Sequence, residues 1–168
     1  MPVGYGDDEA GVGVATSRGR GWPALRQFCV FMENRVGRLN ELLRQIERAD
    51  IVIVALSVVD TVDFAVARIM VNDPDRAREI FALSHFHVIE NDLIGVELPD
   101  SSTPFVSIFV ALVSGEINIH YTYPLLFRRN GRGIIAIHVD NLDEATRVLT
   151  DKGHCLVTED DLLDADGF

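Results

Sequence analysis

The chain is written twice, and that repeat limits what it can fold into more than any other feature. Residues 28–34 (FCVFMEN) have the β-branched and aromatic content of a strand, and Leu39, Leu42, Leu43 and Ile46 follow at the i, i+3, i+4, i+7 spacing of one apolar helical stripe. Asn34 stands just before that helix, where its side chain can cap the first turn, and Gly37 lies within the turn. Two apolar runs, 51–59 and 64–71, flank the polar connection Asp60-Thr61-Val62-Asp63 and read as a hairpin. Asp73-Pro74 starts a second helix, with proline at its first position and Ala77, Ile80 and Phe81 facing inward. A last strand runs through His87, Val88 and Ile89.

Shifted by 66 residues, the first part recurs: Asn34 falls on Asp100, Leu39 on Phe105, Leu42-Leu43 on Ile108-Phe109, Ile46 on Leu112 and Asp50-Ile51 on Glu116-Ile117. Past the middle hairpin the offset is 68, which a longer turn in the second copy, Arg128-Arg129-Asn130-Gly131-Arg132-Gly133, accounts for. Asp73 then meets Asn141, Ala77 meets Ala145, Ile80-Phe81 meets Val148-Leu149 and Val88-Ile89 meets Leu156-Val157.

A βαββαβ unit of about 65 residues is the pattern of a ferredoxin-like sandwich, two helices on one face of a four-stranded antiparallel sheet. The predicted fold is therefore α+β, with two tandem modules at 25–92 and 93–160, an N-terminal arm at 1–24 and an acidic tail at 161–168. A unit this small is marginal alone, so the halves are expected to pair. The join from Asn91 to Leu98 leaves no room for a flexible linker. The arm carries six glycines and no apolar period, so it reads as disordered or loosely docked. Its glycine pairs lack the preceding strand and following helix that a phosphate loop needs.

Composition excludes several classes. The longest apolar run, Ile51 to Val59, is strand-sized and far short of the roughly 18 residues of a membrane span. The first 24 residues lack the apolar core of a secretory signal. The net charge is −11, and residues 25–157 hold 18 acids against 13 bases, a balance that repels a phosphate backbone and speaks against nucleic-acid binding. Cys29 and Cys155, the two cysteines, are expected to be reduced thiols in a cytoplasmic protein.

The stretch Glu33-Asn34-Arg35-Val36-Gly37-Arg38-Leu39 resembles the strand-to-helix turn of an ACT domain, the small regulatory module of many biosynthetic enzymes, in which an Asn or Asp ends the first strand and a Gly opens the helix. Ala49-Asp50-Ile51-Val52-Ile53 resembles the start of that module's second strand. The resemblance covers residues 26–160, both copies, and is similar to the stand-alone tandem ACT proteins of bacteria. It implies a non-enzymatic regulatory protein that binds an amino acid, without cofactor, as a homodimer or with a partner enzyme. It places the ligand against Asn34, Arg35, Val36, Gly37, Arg38 and Leu39. Asp50, Ile51 and Val52 form the opposite wall, supplied by the other half or by another subunit.

Elementary chemistry supports a ligand at that turn. The first N–H groups of a helix lack internal partners and sit at the positive end of its dipole, which suits a carboxylate. Gly37 lets a ligand approach the backbone, and Asn34 can accept from an ammonium if it does not cap the helix. The corresponding stretch of the second copy, Asp100, Ser101, Ser102 and Thr103, departs from this pattern. Thr103 stands where the first copy has Gly37, and Pro104 removes a donor. A degenerate or differently selective second site is expected.

Other chemistry carries less. The five histidines have no zinc-site spacing and read as satisfied or solvated, with no metal implied. Cys29 and Cys155 lie in strand-like runs and read as small apolar residues. Asp60 and Asp63 read as a turn pair, and Arg128, Arg129 and Arg132 as a solvated loop. Tyr121, Tyr123 and Phe127 suit a covered sheet edge or an interface. The rival to the ligand reading is a structural module that pairs with an enzyme or with itself and binds no small molecule.

Overall fold

The structure, a computed structural model, describes residues 19–163; residues 1–18 and 164–168, with the expectations placed on them, lie outside the described residues. The elements are β1 (Leu25–Glu33), α1 (Arg38–Glu47), β2 (Ile53–Asp60), β3 (Phe64–Val71), α2 (Pro74–Ala82), β4 (His87–Glu97), α3 (Pro104–Ser114), β5 (Ile119–Arg129), β6 (Arg132–Val139), α4 (Leu142–Asp151), β7 (Leu156–Val157) and α5 (Glu159–Leu163). The sheet order is β2-β3-β1-β4-β6-β5, with β7 also beside β4.

One strand belongs to both modules. Residues 87–93 of β4 pair antiparallel with β1, Leu25 opposite Leu93. Ile94 to Glu97 pair with β6, and Gly95-Val96 with β7. The last strand of the first βαββαβ unit is thus the first strand of the second, and the 11 residues of β4 run through without a break.

Alternation along the strands sorts the side chains. Phe28, Val30 and Met32 of β1 face the helices and meet Leu42 and Ile46 of α1 and Ala77 and Phe81 of α2 in the first core. The second core repeats this with Ile94, Val96, Ile108, Leu112, Ala145 and Leu149. Each large side chain so buried contributes about 1.5–3 kcal/mol. A third core lies between the helix-free faces: Leu25, Met70 and Leu93 against Tyr123, Leu125, Ile134 and Ala136, closed by Val157 and Leu162. Gly95 lets the two halves approach, since a Cβ there would lie 2.5 Å from Leu25 Cδ1 and 3.3 Å from Val157 Cβ.

The duplication extends to hydrogen bonds. Val52 N–H donates to Asn72 Oδ1 at 2.9 Å and Asn72 N–H returns to Val52 O at 3.0 Å. Asn118 and Asp140 repeat this clamp in the second module, at 3.2 Å each way. Asp73 caps α2 by accepting from Arg76 N–H, and Asn141 caps α4 by accepting from Glu144 N–H.

Three sequence expectations need correction. The second hairpin has no long loop: β5 and β6 run to Arg129 and from Arg132, joined only by Asn130-Gly131 with φ 52° and 75°. That is the geometry of a tight primed turn, so the extra residues lengthen β5. Two of the three arginines there are engaged, not merely solvated: Arg129 donates to Leu156 O at 3.1 Å and pairs with Asp161, and Arg132 pairs with Glu97 and Asp100, while Arg128 is exposed. Cys155 is exposed, because β7 starts only at Leu156, whereas Cys29 is buried.

The ends of the described chain are tied by charge. Glu159 accepts two bonds from the Arg26 guanidinium, at 2.8 and 2.9 Å, and one from Arg26 N–H. Asp75 at the start of α2 pairs with both Arg26 and Arg20, at 2.8 Å each.

Candidate functional site

The chain leaves β1 through Asn34, Arg35 and Val36 and enters α1 through Gly37, whose φ of 92° and ψ of −17° are left-handed. A side chain there would be strained although it would meet nothing within 4 Å. Among the described residues no side chain caps α1. The expectation that Asn34 does so is overturned: its amide donates to Thr61 O at 3.1 Å and Asp60 Oδ2 at 3.5 Å, and its N–H donates to Asp63 O. The cause is geometric, since Gly37 occupies the capping position and Asn34, three residues earlier, reaches the carbonyls of the β2–β3 hairpin instead.

The neighbouring side chains are laid out by charge and exposure. Arg35 pairs with Glu33, and Val36 is fully exposed. Arg38 donates to Glu41 at 2.7 Å and lies over the Phe86 ring at 4.9 Å, while its buried Nε has no partner among the described residues. Leu39 packs against the first core. From Gly37 a hollow of about 420 Å³ runs along α1, lined by Asn40, Glu41, Arg44, Gln45 and Arg48. These five residues were not predicted for the site, although their spacing on the polar face of the predicted helix was readable.

Asp50, Ile51 and Val52 are not brought to this turn within the chain. They follow the far end of α1, whose ten residues span about 15 Å. Asp50 has φ 55°, Ile51 is buried in the first core, and Val52 is held by Asn72. In the second module Asp100, Ser101, Ser102 and Thr103 are all exposed, and Thr103 enters α3 with an ordinary φ of −134°. The two turns therefore differ in backbone as well as in side chain.

Between the modules lies a polar cluster. Gln27, fully buried, donates to Tyr121 Oη at 2.7 Å and accepts from Tyr123 Oη. Arg68 stacks over Tyr121 at 3.8 Å, and Tyr121 stacks on His138. Burial pushes the Tyr123 hydroxyl well up from its ordinary value and raises the Cys29 thiol, although Gln27 and Asn91 donate to the Cys29 sulfur. His138, read from sequence as satisfied or solvated, instead has a buried Nδ1 with no partner among the described residues. A second hollow, about 460 Å³, lies between Trp22 and the outer side of α4 at Asp143, Thr146 and Arg147. Among the described residues no helix is long and apolar enough to cross a membrane.

Residues 24–165 match the family described as an ACT domain pair. No curated protein sequence matches. Among solved structures, protein BT0572 from Bacteroides thetaiotaomicron is 28% identical, with a TM-score of 0.77 over 84% of this chain and 97% of that one. The regulatory subunit of aspartate kinase from Thermus thermophilus, in its ligand-free form, is 14% identical, with a TM-score of 0.53 over 80% of this chain and 96% of its own. The aspartokinase alpha and beta subunits give 15% identity and a TM-score of 0.50 over 77% and 92%. The last two likenesses show the fold alone.

Proposed function

Because the chain belongs to the family of ACT domain pairs, we propose that it is a non-enzymatic regulatory protein that binds a free amino acid at the β1–α1 turn of its first module. One observation carries the reading. The start of α1 has no side-chain cap and opens at Gly37 onto a hollow lined by Glu41, Arg44 and Arg48. An amino acid has one charge of each sign, and this surface offers both: arginines and helix N–H groups for the carboxylate, Glu41 for the ammonium. Asp50 and Val52 would complete the site from another subunit, since their own chain keeps them at the far end of α1. The fold likeness to a protein named as a regulatory subunit of aspartate kinase supports a regulated enzyme as partner, and two free cysteines suit a cytoplasmic setting. Regulation follows only if the ligand prefers one assembly state over another.

The test is thermal unfolding of the full chain against each of the twenty amino acids. A ligand at 100 times its Kd adds about 2.7 kcal/mol, which for this size raises Tm by roughly 5–10 °C. The shift should vanish in Arg44→Ala and Gly37→Val. Twenty flat curves would favour the rival, a module that binds protein only. That reading has its own support in the fully exposed Val36 and Val62, which stand at the same end on loops joined through Asn34.

A further inference from the structure

Two arginines in the hollow along α1 have no structural work to do, and the duplication shows it. Shifted by 66 residues, Glu41, Arg44 and Arg48 fall on Ser107, Val110 and Ser114 of α3. α3 packs its module through Ile108 and Leu112 without any of these charges, as α1 packs its own through Leu42 and Ile46. Cations near a helix C-terminus also complement its dipole. That role does not account for Arg44, because the last turns of α2, α3 and α4 go without a basic residue. Both arginines are exposed, and neither pairs with a carboxylate among the described residues. Glu41, which lines the hollow with them, holds Arg38 through Oε2 and keeps Oε1 for another donor.

We propose that the ligand of this site is an acidic amino acid, glutamate before aspartate, with Arg44 at its α-carboxylate, Arg48 at its side-chain carboxylate and Glu41 at its ammonium. The assignment rests on the reading of the β1–α1 turn as an amino-acid site and narrows it. The first support is a match of groups. The hollow offers two guanidiniums free of carboxylates and one carboxylate with an oxygen to spare. A neutral amino acid uses one of each and leaves a guanidinium idle, whereas an acidic one uses all three. The second support is spacing. Arg44 and Arg48 stand one turn apart on one face, about 5–6 Å between Cβ atoms, and side chains on a helix lean back toward its start. Arg44 therefore reaches toward the uncapped N–H groups beyond Gly37, and Arg48 follows one turn behind. An acidic amino acid holds its carboxylates three or four carbon–carbon bonds of about 1.5 Å apart, and the longer glutamate spans that step better. Guanidinium also suits carboxylate in kind, because its fork of donors can meet both oxygens.

Calorimetric titration of the full chain with L-glutamate, L-glutamine and glutarate, at constant ionic strength, tests this. L-glutamate should bind at least ~10-fold more tightly than L-glutamine, the scale of one charge-assisted hydrogen bond. It should also bind more tightly than glutarate, which has both carboxylates and no ammonium. Arg48→Gln should abolish the preference for glutamate over glutamine by weakening glutamate alone; a merely structural Arg48 would weaken both alike. Arg44→Gln should weaken both, since both ligands carry the α-carboxylate. Glutamine or glutarate binding as tightly as glutamate overturns the assignment, and so does a preference that survives Arg48→Gln. A neutral amino acid that raises Tm in the screen of all twenty, with glutamate and aspartate silent, overturns it too and leaves the amino-acid reading of the turn standing. Silence from all twenty removes both.

Discussion

Asp50 and Glu116 stand 66 residues apart and hold the same left-handed backbone, φ 55° at each. Each turns the chain out of its helix so that the next residue, Ile51 or Ile117, is buried in its module's core. Such a turn after a helix is ordinarily made by glycine or asparagine. Two acidic residues make it here, in both copies, so the duplicated backbone is kept where local preference argues against it.

That placement predicts a gain from glycine. An L-residue in this conformation costs roughly 1–2 kcal/mol, and glycine gives part of this back through its freer unfolded chain. Asp50→Gly and Glu116→Gly should each stabilise by about 0.5–1 kcal/mol and add when combined, as distant sites do. Urea unfolding of the two single variants and the double variant measures this; a loss in either would mean that the acidic side chain holds something the glycine gives up.

The repeat made the fold legible because hydrophobic spacing reports burial: Leu42, Ile46, Ile108 and Leu112 were readable as core and are all buried. The hairpin at Asn130-Gly131 was misjudged because charged residues read as loop, although Asn-Gly between runs is itself a tight-turn signal. β4 was not readable as one shared strand, since its two halves differ only in which neighbours they pair with. The candidate site was legible in part. The sequence placed Gly37 at the entry to α1, where it stands, but its left-handed φ moved the cap and freed Asn34 to bond the hairpin. The third core depends on contacts between residues such as Leu25 and Ile134, and no periodicity in either segment encodes that meeting.

His138 should make stability sensitive to mild acid. Burial first, then His120 and Arg68, lower its pKa below the ordinary 6.5. The unfolded state therefore binds the proton more readily. Stability is full above about pH 6.5 and falls as pH drops toward the lower folded value. His138→Phe keeps a ring against Tyr121 and removes the unpartnered Nδ1. Its Tm should be higher than wild type at pH 5.5 by more than at pH 7.5; equal differences would mean that His138 does not titrate in this way.

Asp75 governs a second, more acidic window. The hydrogen bond from Arg20, then that from Arg26, hold its carboxyl below the ordinary carboxylate value. A depressed carboxylate stabilises above its unfolded pKa, near 3.9, and that stabilisation is lost as pH falls through the folded value. Asp75→Asn should therefore lower Tm at pH 6 and leave it little changed at pH 2.5. Because the side chain is half exposed, 0.5 M salt should shrink the difference.

Gly95 and Leu25 meet at the point where β4 passes from one module to the other, and a double-mutant cycle can measure that contact. Gly95 sits where β4 passes from pairing with β1 to pairing with β6 and β7. Leu25, with no exposed surface, lies across it in the third core. Gly95→Ala would bring a methyl to 2.5 Å from Leu25 Cδ1. Leu25 has no exposed surface and Val157 stands 3.3 Å from the added methyl on another strand, so relief requires the Leu25 side chain to leave its packed position or the strands to move apart. The cost should be about 1–3 kcal/mol, the range for overpacking. Leu25→Ala alone should cost about 2–5 kcal/mol through the cavity it leaves. Combining them puts a methyl into part of that cavity, so the double variant should be less destabilised than the two losses together, by at least about 1 kcal/mol. Strict additivity in chemical denaturation would mean that the modules meet elsewhere and that Gly95 matters only to its own strand.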